Sequence, residues 1–382
     1  MESLRIAVLN WRDLTHPEAG GAERLVHESA CELIRRGHSV TLFTARYPGS
    51  AAIDSSLEYQ IERYGSRFSV YPRVARVLKD RTNKGEFDVV VEHVNGIPWF
   101  SPFWSGVPNV AIFYHLVGSA FFLELPFPIS LIGFSTELAT PILYGRTDCV
   151  YLGPSSATEF QSLGARREYS HIIPPGVDLA TYTVKGQKSP EPTFIMLGPV
   201  KSYKNQDLAI KAIALVRRAV PNARLILTGW ARGDILDRLK LLVNRLGIAG
   251  AVDFAGFLPE SIKIQKIQEA WALLYCSDRE GWGLGAIEAS ACGTPTIAPK
   301  IGGLKDSVIE GSTGLMYPPR DLSALVASMD ELVRDEALRA RMAIECRRFA
   351  SQFDWGVHGD RIESLLREVA SRRGNQERIQ IS

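Results

Sequence analysis

The stretch LRIAVLN (residues 4–10) decides the fold class. Apart from Arg5 it is apolar until it stops at Asn10, which is typical of a strand buried on both faces of a parallel sheet. A glycine-containing loop follows, and residues 23–36 then carry apolar side chains at the 3.6-residue spacing of a helix, which Gly37 ends. Residues 38–44 predict the next strand. This alternation predicts a doubly wound α/β sheet.

The alternation of strands and helices occurs twice along the chain. A polar stretch, TYTVKGQKSPEP (residues 181–192), predicts a linker between the two sets. We therefore expect two Rossmann-like domains with doubly wound parallel sheets, facing each other across a cleft. The predicted parts are an acceptor-side domain at residues 1–180, the linker, a donor-nucleotide domain at residues 193–352, and a C-terminal segment at residues 353–382 that crosses back to the first domain as a helix.

Composition excludes several classes of protein. The 382 residues are 46% hydrophobic and 23% charged, as in ordinary globular domains, and a net charge of +2 does not indicate a nucleic-acid partner. The 5 cysteines are far apart and form no Cys-x-x-Cys pair, which argues against a disulfide framework or structural zinc and favours the cytoplasm. No signal peptide is predicted, and the apolar region at residues 107–134 is too interrupted to predict a membrane span.

Two glycine-rich segments at helix starts are candidate ligand sites. Gly20-Gly21-Ala22-Glu23 precedes the first helix, where free N–H groups suit a diphosphate, although Glu23 could simply serve the helix dipole. The second segment, EGWGLGAIE (residues 280–288), follows a strand and opens a helix. Its backbone suits phosphate or sugar hydroxyls, and Glu288 could accept two hydrogen bonds from a ribose diol. The alternative is a flexible loop with two solvated glutamates. The first strand lacks the Gly-x-Gly-x-x-Gly fingerprint, which argues against a nicotinamide dehydrogenase.

Three cationic or titratable residues follow predicted strands. Lys201 and Lys204 come just after the first strand of the second domain, where a lysine can neutralise phosphate, or can be an ordinary surface residue. His115 ends a strand of the first domain and would face the cleft, or would be a satisfied structural histidine.

Taken together, these residues resemble glycosyltransferase family 4, a large retaining family with the GT-B fold. The strongest block is residues 280–319, with two glutamates separated by seven residues, then Gly-x-Pro, Gly-Gly and Gly-x-x-Gly-Leu. The resemblance implies a nucleoside-diphosphate sugar as donor substrate, no cofactor, no required metal, and retention of anomeric configuration. One departure concerns the diphosphate: the family commonly has Arg after Gly198, and this chain has Pro199. Lys201, two positions on, either supplies the missing charge or points away from the site.

The resemblance also implies a role for each matching residue. Glu288 would hold the donor ribose, and Glu280 a hydroxyl of the donor sugar. The backbone of Gly281, Trp282, Gly283 and Leu284 would support the sugar and diphosphate. Lys204 and the N–H groups at Gly20 and Gly21 would pair with the diphosphate. His115 would lie beside the transferred sugar, and the backbone at Phe257 and Leu258 would meet the base.

The first domain is expected to bind the acceptor, which would be a glycan, a lipid-linked molecule or a small molecule. The apolar loop at residues 121–128 would suit a hydrophobic acceptor if exposed, and would be ordinary core if buried. Basic residues between Arg63 and Lys84, with valines at helical spacing, predict a helix that either packs on the sheet with a solvated charged face or lies on anionic lipid. The second alternative would make the protein peripheral on the inner membrane face.

The sequence thus predicts a retaining, metal-independent glycosyltransferase with no nucleic-acid partner. A catalytically weak nucleotide-sugar-binding protein of the same fold is the alternative, supported by Pro199. A hydrolase or phosphorylase on a related fold is a third hypothesis, which sugar release without an acceptor would reveal.

Overall fold

A computed structural model describes residues 2–118, 121–124, 126–231 and 233–381. The chain divides into two compact units: unit 1 comprises residues 1–176 and 355–382, and unit 2 comprises residues 177–354. The chain therefore passes between the units twice, at Gly176–Val177 and at Asp354–Trp355.

Unit 1 is built on an eight-stranded sheet with the strand order β3-β4-β2-β1-β5-β6-β7-β8. All neighbours pair in parallel except β3 and β4. Its strands are β1 (Arg5–Leu9), β2 (Ser39–Thr44), β3 (Ile53–Asp54), β4 (Gln60–Arg63), β5 (Val89–Val94), β6 (Asn109–Phe113), β7 (Asp148–Tyr151) and β8 (Ser170–Ile172). Its helices are α1 (Gly21–Arg35), α2 (Val70–Asn83), α3 (Phe121–Glu124), α4 (Ile129–Leu143), α5 (Pro154–Ser162) and, at the end of the chain, α13 (Trp355–Ile381).

Unit 2 is built on a six-stranded parallel sheet with the order β11-β10-β9-β12-β13-β14. Its strands are β9 (Thr193–Met196), β10 (Arg224–Thr228), β11 (Val252–Gly256), β12 (Ala272–Leu274), β13 (Thr296–Pro299) and β14 (Gly314–Tyr317). Its helices are α6 (Gln206–Val216), α7 (Ile235–Arg245), α8 (Glu260–Glu269), α9 (Leu284–Ala291), α10 (Leu304–Ser307), α11 (Leu322–Arg334) and α12 (Glu336–Ala350).

The predicted doubly wound fold is confirmed in both units. The apolar run of β1 is buried because β2 and β5 flank it and helices cover both faces of the sheet. In unit 2, Phe194 and Ile195 of β9 are fully buried for the same reason. Because all parallel strands of a sheet end at the same edge, the loops after β9, β11 and β12 meet there and can build one site.

The basic stretch between Arg63 and Lys84 does not form one amphipathic helix, so that expectation is wrong in part. Arg63 belongs to strand β4, where its side chain is 1% exposed and pairs with Asp13. Helix α2 turns Val70 and Val74 into the core of unit 1. The apolar side of α2 is therefore packed inside unit 1, and the charged side of the helix faces outward.

Two buried histidines make the stability of the chain sensitive to acid. Burial lowers the pKa of His358 to about 4 and that of His93 to about 3. The neutral ring of His358 lies 2.8 Å from Ser29 Oγ and 2.8 Å from the carbonyl oxygen of Pro174, which ties α13 to α1. An unfolded histidine titrates near pH 6.5, so the unfolded chain binds more protons below that pH.

We therefore expect the free energy of unfolding to fall as the pH drops from about 6.5 towards 4, by about 3 kcal/mol for His358 alone. The measurement is urea denaturation at a series of pH values. The His358→Gln variant should be less stable at pH 7 and lose less on acidification. Equal pH dependence in the variant and the parent would contradict the assignment to His358.

Candidate functional site

The site in unit 2 is centred on an ion pair between Lys204 and Glu280, two residues that are 76 positions apart in the chain. Lys204 lies in the turn after β9 and Glu280 in the loop after β12, and their strands are neighbours in the sheet. Ser277 Oγ also donates to Glu280, at 2.7 Å. Burial on its own lowers the pKa of Lys204, but the attraction of the Glu280 carboxylate outweighs it, so the pKa is raised. Lys204 is thus a buried, fully charged ammonium group.

Close backbone packing holds the Glu280 loop in position. The Gly303 N–H donates to the Glu280 carbonyl oxygen at 3.0 Å. A Cβ atom on Gly303 would lie 2.1 Å from the Gly281 carbonyl oxygen, which is impossible without moving the loop. Gly283 has a φ of +87°, and a Cβ there would also clash with Leu304 at 2.7 Å. These glycines therefore let two loops touch, and they bring the start of α9 to the ion pair.

Tyr275 shapes the N-terminus of α9 from below. Its hydroxyl oxygen would lie 2.8 Å from a Cβ built on Gly285, so the phenol packs closely against the first turn of the helix. Its ring lies 5.8 Å from the Lys204 ammonium. The Ala286 N–H donates to the Gly283 carbonyl oxygen at 2.8 Å, and the preceding N–H groups, at residues 282–284, are the ones available to an anion. Trp282 is 4% exposed and packs edge-on against Phe353 at 5.5 Å, which fixes this end of the loop.

The second carboxylate, Glu288, lies in a separate network on α9. Its Oε1 accepts from the Tyr182 hydroxyl at 3.0 Å and from Lys263 Nζ at 3.1 Å, and Lys263 also lies 3.2 Å from Oε2. The Glu260 carboxylate belongs to the same network. It accepts from the Tyr182 hydroxyl, and its Oε2 lies 3.1 Å from Lys263 Nζ. A tyrosine carries one hydroxyl proton, so Tyr182 donates to only one of the two carboxylates at a time. Lys263 is therefore the principal partner that holds Glu288.

Three other predicted residues lie at the same edge of the unit 2 sheet. Lys201 places its ammonium 5.5 Å from the ring of Trp230 and 5.6 Å from that of Tyr203. Phe257 and Leu258 follow β11, and the ring of Phe257 is 76% exposed. The position where the family commonly has arginine is Pro199, whose carbonyl oxygen accepts from Gln206 Nε2 at 3.2 Å.

Unit 1 brings the predicted residues Gly20, Gly21 and His115 to one edge of its own sheet. The Tyr114 hydroxyl, just before His115, donates to the Ala22 carbonyl oxygen at 3.2 Å and lies 2.8 Å from His93 Nδ1. The start of α1 and the end of β6 are therefore in contact. Gly20 and Gly21 are exposed, and His115 is half-buried.

Glu23 acts at the start of its own helix, α1, which agrees with the simpler interpretation of the first motif. Its buried carboxylate accepts from the Gly20 N–H at 2.7 Å and from Arg12 Nε at 3.1 Å. One N–H group at the helix start is thus already satisfied from within, while the N–H of Gly21 has no such carboxylate partner in that arrangement.

Sequence reasoning missed Tyr182, Lys263, Glu260 and Tyr275. Tyr182 stands in the stretch predicted as a linker, yet it is 1% exposed. Its aromatic ring amid polar residues was the one available signal. Lys263 and Glu260 lie on α8 with ordinary surface-like spacing, so only the fold shows that they reach Glu288. Among the described residues, no group of three or more His, Cys, Asp or Glu is arranged to hold a metal ion.

The fold and the site define a class: glycosyltransferases that use nucleotide sugars and have the GT-B fold. The family model "Glycosyltransferase Family 4" matches residues 19–181, and the family model "Glycosyl transferases group 1" matches residues 182–349. The chain belongs to glycosyltransferase family 4. The predicted family and enzyme class are therefore confirmed.

Relatives of known name match over most of the chain. A GDP-mannose-dependent alpha-(1-6)-phosphatidylinositol monomannoside mannosyltransferase of Mycolicibacterium smegmatis is 24% identical over 92% of this chain and 95% of its own. A D-inositol 3-phosphate glycosyltransferase of Nocardia farcinica is 27% identical over 92% of this chain and 86% of its own. The crystal structure of HepE from Anabaena in complex with UDP-glucose, 21% identical, covers 96% of this chain and all of its own with a TM-score of 0.76, which shows the shared fold.

The network around Glu288 leads to a prediction for Lys263. In the Lys263→Met variant, Glu260 and Glu288 would face each other without their shared cation, so we expect affinity for the nucleoside diphosphate of the donor to fall about tenfold, the usual size for a charge-assisted hydrogen bond. Isothermal titration calorimetry measures it. Lys263→Arg should recover most of the affinity.

A matched control lies on the same helix. Lys266 pairs with Glu269 at 2.9 Å on the surface, so Lys266→Met should leave the affinity unchanged. If Lys263→Met and Lys266→Met behave alike, Lys263 does not position Glu288.

Proposed function

We propose that this enzyme transfers a sugar from a nucleoside-diphosphate sugar to an acceptor hydroxyl with retention of configuration and without a metal ion. The observation that carries the proposal is the buried Lys204–Glu280 pair beside the glycine-rich start of α9. This pair supports the proposal because one molecule bound at the start of α9 would meet both a fixed positive charge and a carboxylate. A diphosphate next to a sugar presents the matching chemistry: negative charge for Lys204 and the backbone N–H groups, and hydroxyls for Glu280.

In the transfer, the bond between the sugar and the diphosphate breaks and negative charge develops on the leaving diphosphate. Lys204 and the N–H groups at residues 282–284 are held by packing before the substrate arrives, so they stabilise that charge without reorganising. Glu280 accepts a hydrogen bond from a hydroxyl of the donor sugar. Glu288, held by Lys263, accepts from the ribose diol. The departing phosphate takes the proton of the attacking acceptor hydroxyl, so that acceptor and leaving group share one face of the sugar.

Uridine and guanosine diphosphate sugars are the first donors to consider. HepE, which shares the fold, was crystallised with UDP-glucose, and the mycobacterial relative is named as GDP-mannose-dependent. Both named relatives act on inositol-containing molecules, which makes a polyol or a glycolipid headgroup the proposed acceptor class. We place the protein in the cytoplasm, in peripheral contact with the inner membrane face, where such an acceptor is presented.

The test of the proposed function is a thermal-shift panel of nucleoside diphosphates and nucleotide sugars on the parent and on Glu288→Ala. A ligand that binds only the folded state raises the apparent melting temperature. We expect one base series to stabilise the parent and to lose that effect in Glu288→Ala. Transfer with the bound donor is then assayed by NMR of the product anomer. An inverted product would overturn retention, and absence of any shift would overturn the donor site.

A catalytically weak nucleotide-sugar-binding protein remains the alternative, because Pro199 stands where the family commonly has arginine. The same panel separates the two functions. Nucleotide binding of ordinary strength without transfer to any polyol acceptor would favour the nucleotide-sugar-binding protein.

A further inference from the structure

Helix α4 of unit 1 has an apolar exposed side and a mainly polar buried side. Three of its four buried residues are polar, namely Ser130, Glu137 and Thr140, and the fourth is Pro141. Glu137, the one acidic residue between residues 126 and 147, accepts the Gly118 N–H at 2.6 Å and also that of Val117. Helices on a protein surface in water bury their apolar side and expose their polar side. In α4, the outward side instead carries Ile129, Leu131, Ile132, Leu138, Ile142 and Leu143.

The apolar surface extends beyond α4. The loop predicted at residues 121–128 divides: Phe121 is buried, Phe122 is 49% exposed and Phe127 is 77% exposed, while Leu125 lies outside the described residues. Eight of the 20 exposed large apolar side chains in the described part of the chain fall within residues 122–143. Scattered apolar residues are normal on a surface, but this clustering indicates a surface that contacts something apolar.

Arginines border the apolar side of α4. Arg146 follows the helix and is exposed. A Cβ on Gly145 would lie 3.7 Å from Arg166 Nε, and one on Gly164 would lie 3.0 Å from Ile142 Cγ1. The same Cβ on Gly145 would lie 3.0 Å from the Ile142 carbonyl oxygen, so the Arg166 side chain lies near the C-terminal end of α4. Arg166 also pairs with Glu168 at 3.7 Å, and both side chains are exposed. An apolar surface bordered by guanidinium groups is complementary to a lipid layer, which has an apolar interior and anionic headgroups.

The basic side of α2 lies on the same face of the unit 1 sheet as α4. Val90 packs with α2 and Val94 packs with Tyr144, the residue after α4, and side chains four apart on one strand share a face. Phe103 is 62% exposed, and its ring lies 6.4 Å from that of Tyr144. The exposed basic residues of α2 on this face are Arg73, Arg76 and Lys79.

We propose that α4 is the element by which this protein lies on an anionic lipid bilayer. Its apolar side enters the headgroup boundary, and Arg146, Arg166 and the basic side of α2 contact lipid phosphates. With 15 residues α4 lies on the membrane rather than through it, and no helix in the described ranges is both long and apolar enough to cross one. The membrane contact rests on the proposed function: if the acceptor is carried by a lipid, α4 brings the acceptor-side unit to it.

Vesicle flotation of the full chain tests the contact, with vesicles of phosphatidylcholine alone and with added phosphatidylglycerol. We expect the parent to float with the anionic vesicles. The variant Ile132→Glu/Leu138→Glu/Ile142→Glu should lose about tenfold or more in partitioning at low salt, because it places charge in the apolar layer. The matched control is Leu241→Glu/Ile344→Glu, two exposed apolar residues of unit 2, which should float like the parent. Arg146→Glu/Arg166→Glu should lose the preference for anionic vesicles.

Two results would overturn the proposal. One is that the α4 variant and the parent float equally, which includes the result that neither of them floats. The other is a concentration-dependent dimer of the parent that the α4 variant abolishes, which would mean that a second copy covers the helix. The nucleotide thermal shift, measured on the same α4 variant, should be retained, so a failed membrane contact and a failed donor site give different results.

Discussion

Replacing Lys204 by methionine is expected to weaken binding of the donor nucleoside diphosphate about 10- to 100-fold and to slow sugar transfer by about 10²- to 10³-fold. The Lys204 side chain is 11% exposed, so water screens its charge little, and the diphosphate would lose a buried cation beside the start of α9. The effect on transfer exceeds the effect on binding because charge on the diphosphate grows as the sugar bond breaks. Calorimetry and steady-state kinetics measure the two effects.

The same substitution removes the cation from beside the Glu280 carboxylate, so loss of folding must be separated from loss of binding. The double variant Lys204→Met/Glu280→Gln removes both charges and should fold more stably than Lys204→Met alone while remaining inactive. Lys211, paired with Asp207 on the surface of α6, provides the control: Lys211→Met should bind and turn over like the parent. If Lys204→Met kept its affinity within about twofold, Lys204 would be only a structural counterion.

Replacing Arg63 by methionine is expected to lower the free energy of unfolding by about 3–5 kcal/mol, the usual cost of leaving a buried charge without its partner. Arg63 is 1% exposed and donates to Asp13, which is fully buried, at 2.8 and 3.1 Å. It also donates to Asp54 at 3.1 Å and to Thr15 Oγ1 at 2.9 Å. Removing the guanidinium leaves the Asp13 carboxylate uncompensated in the interior. Urea denaturation measures the loss.

A basic residue on the neighbouring helix gives the contrast for Arg63. Arg73 is exposed on α2, so Arg73→Met should change the stability by less than about 0.5 kcal/mol. Adding Asp13→Asn to Arg63→Met should restore part of the stability, because it removes the stranded charge. A loss below about 1 kcal/mol in Arg63→Met would show that water reaches Asp13.

Much of the fold could be predicted because it depends on local pattern. The apolar runs of β1 and β2 mark their strands nearly to the residue, and Gly37 marks the end of the first helical segment. The edge strands β3 and β8, and β4 beside β3, were missed, because strands of two to four residues carry too little apolar alternation to stand out. Arg63 was misplaced for the same reason.

The candidate site was predictable only as separate motifs. The glycines and glutamates of residues 280–288 indicate an anion and sugar site by themselves, since loop glycines and a helix start have the same chemistry in any fold. That Lys204 meets Glu280 depends on β9 and β12 being neighbours in the sheet. That Tyr182 and Lys263 hold Glu288 depends on contacts across 106 and 25 residues of chain.

By itself, the sequence determined the fold class, the family and the residue types of the candidate site, because these follow from apolar periodicity and short motifs that act over a few residues. Only the tertiary structure decided which charges are paired, which are buried, and which side of α4 faces water. Those properties depend on what packs against a residue from distant parts of the chain. The position of Arg63 in the core and the outward isoleucines of α4 are both invisible to local pattern for that physical reason.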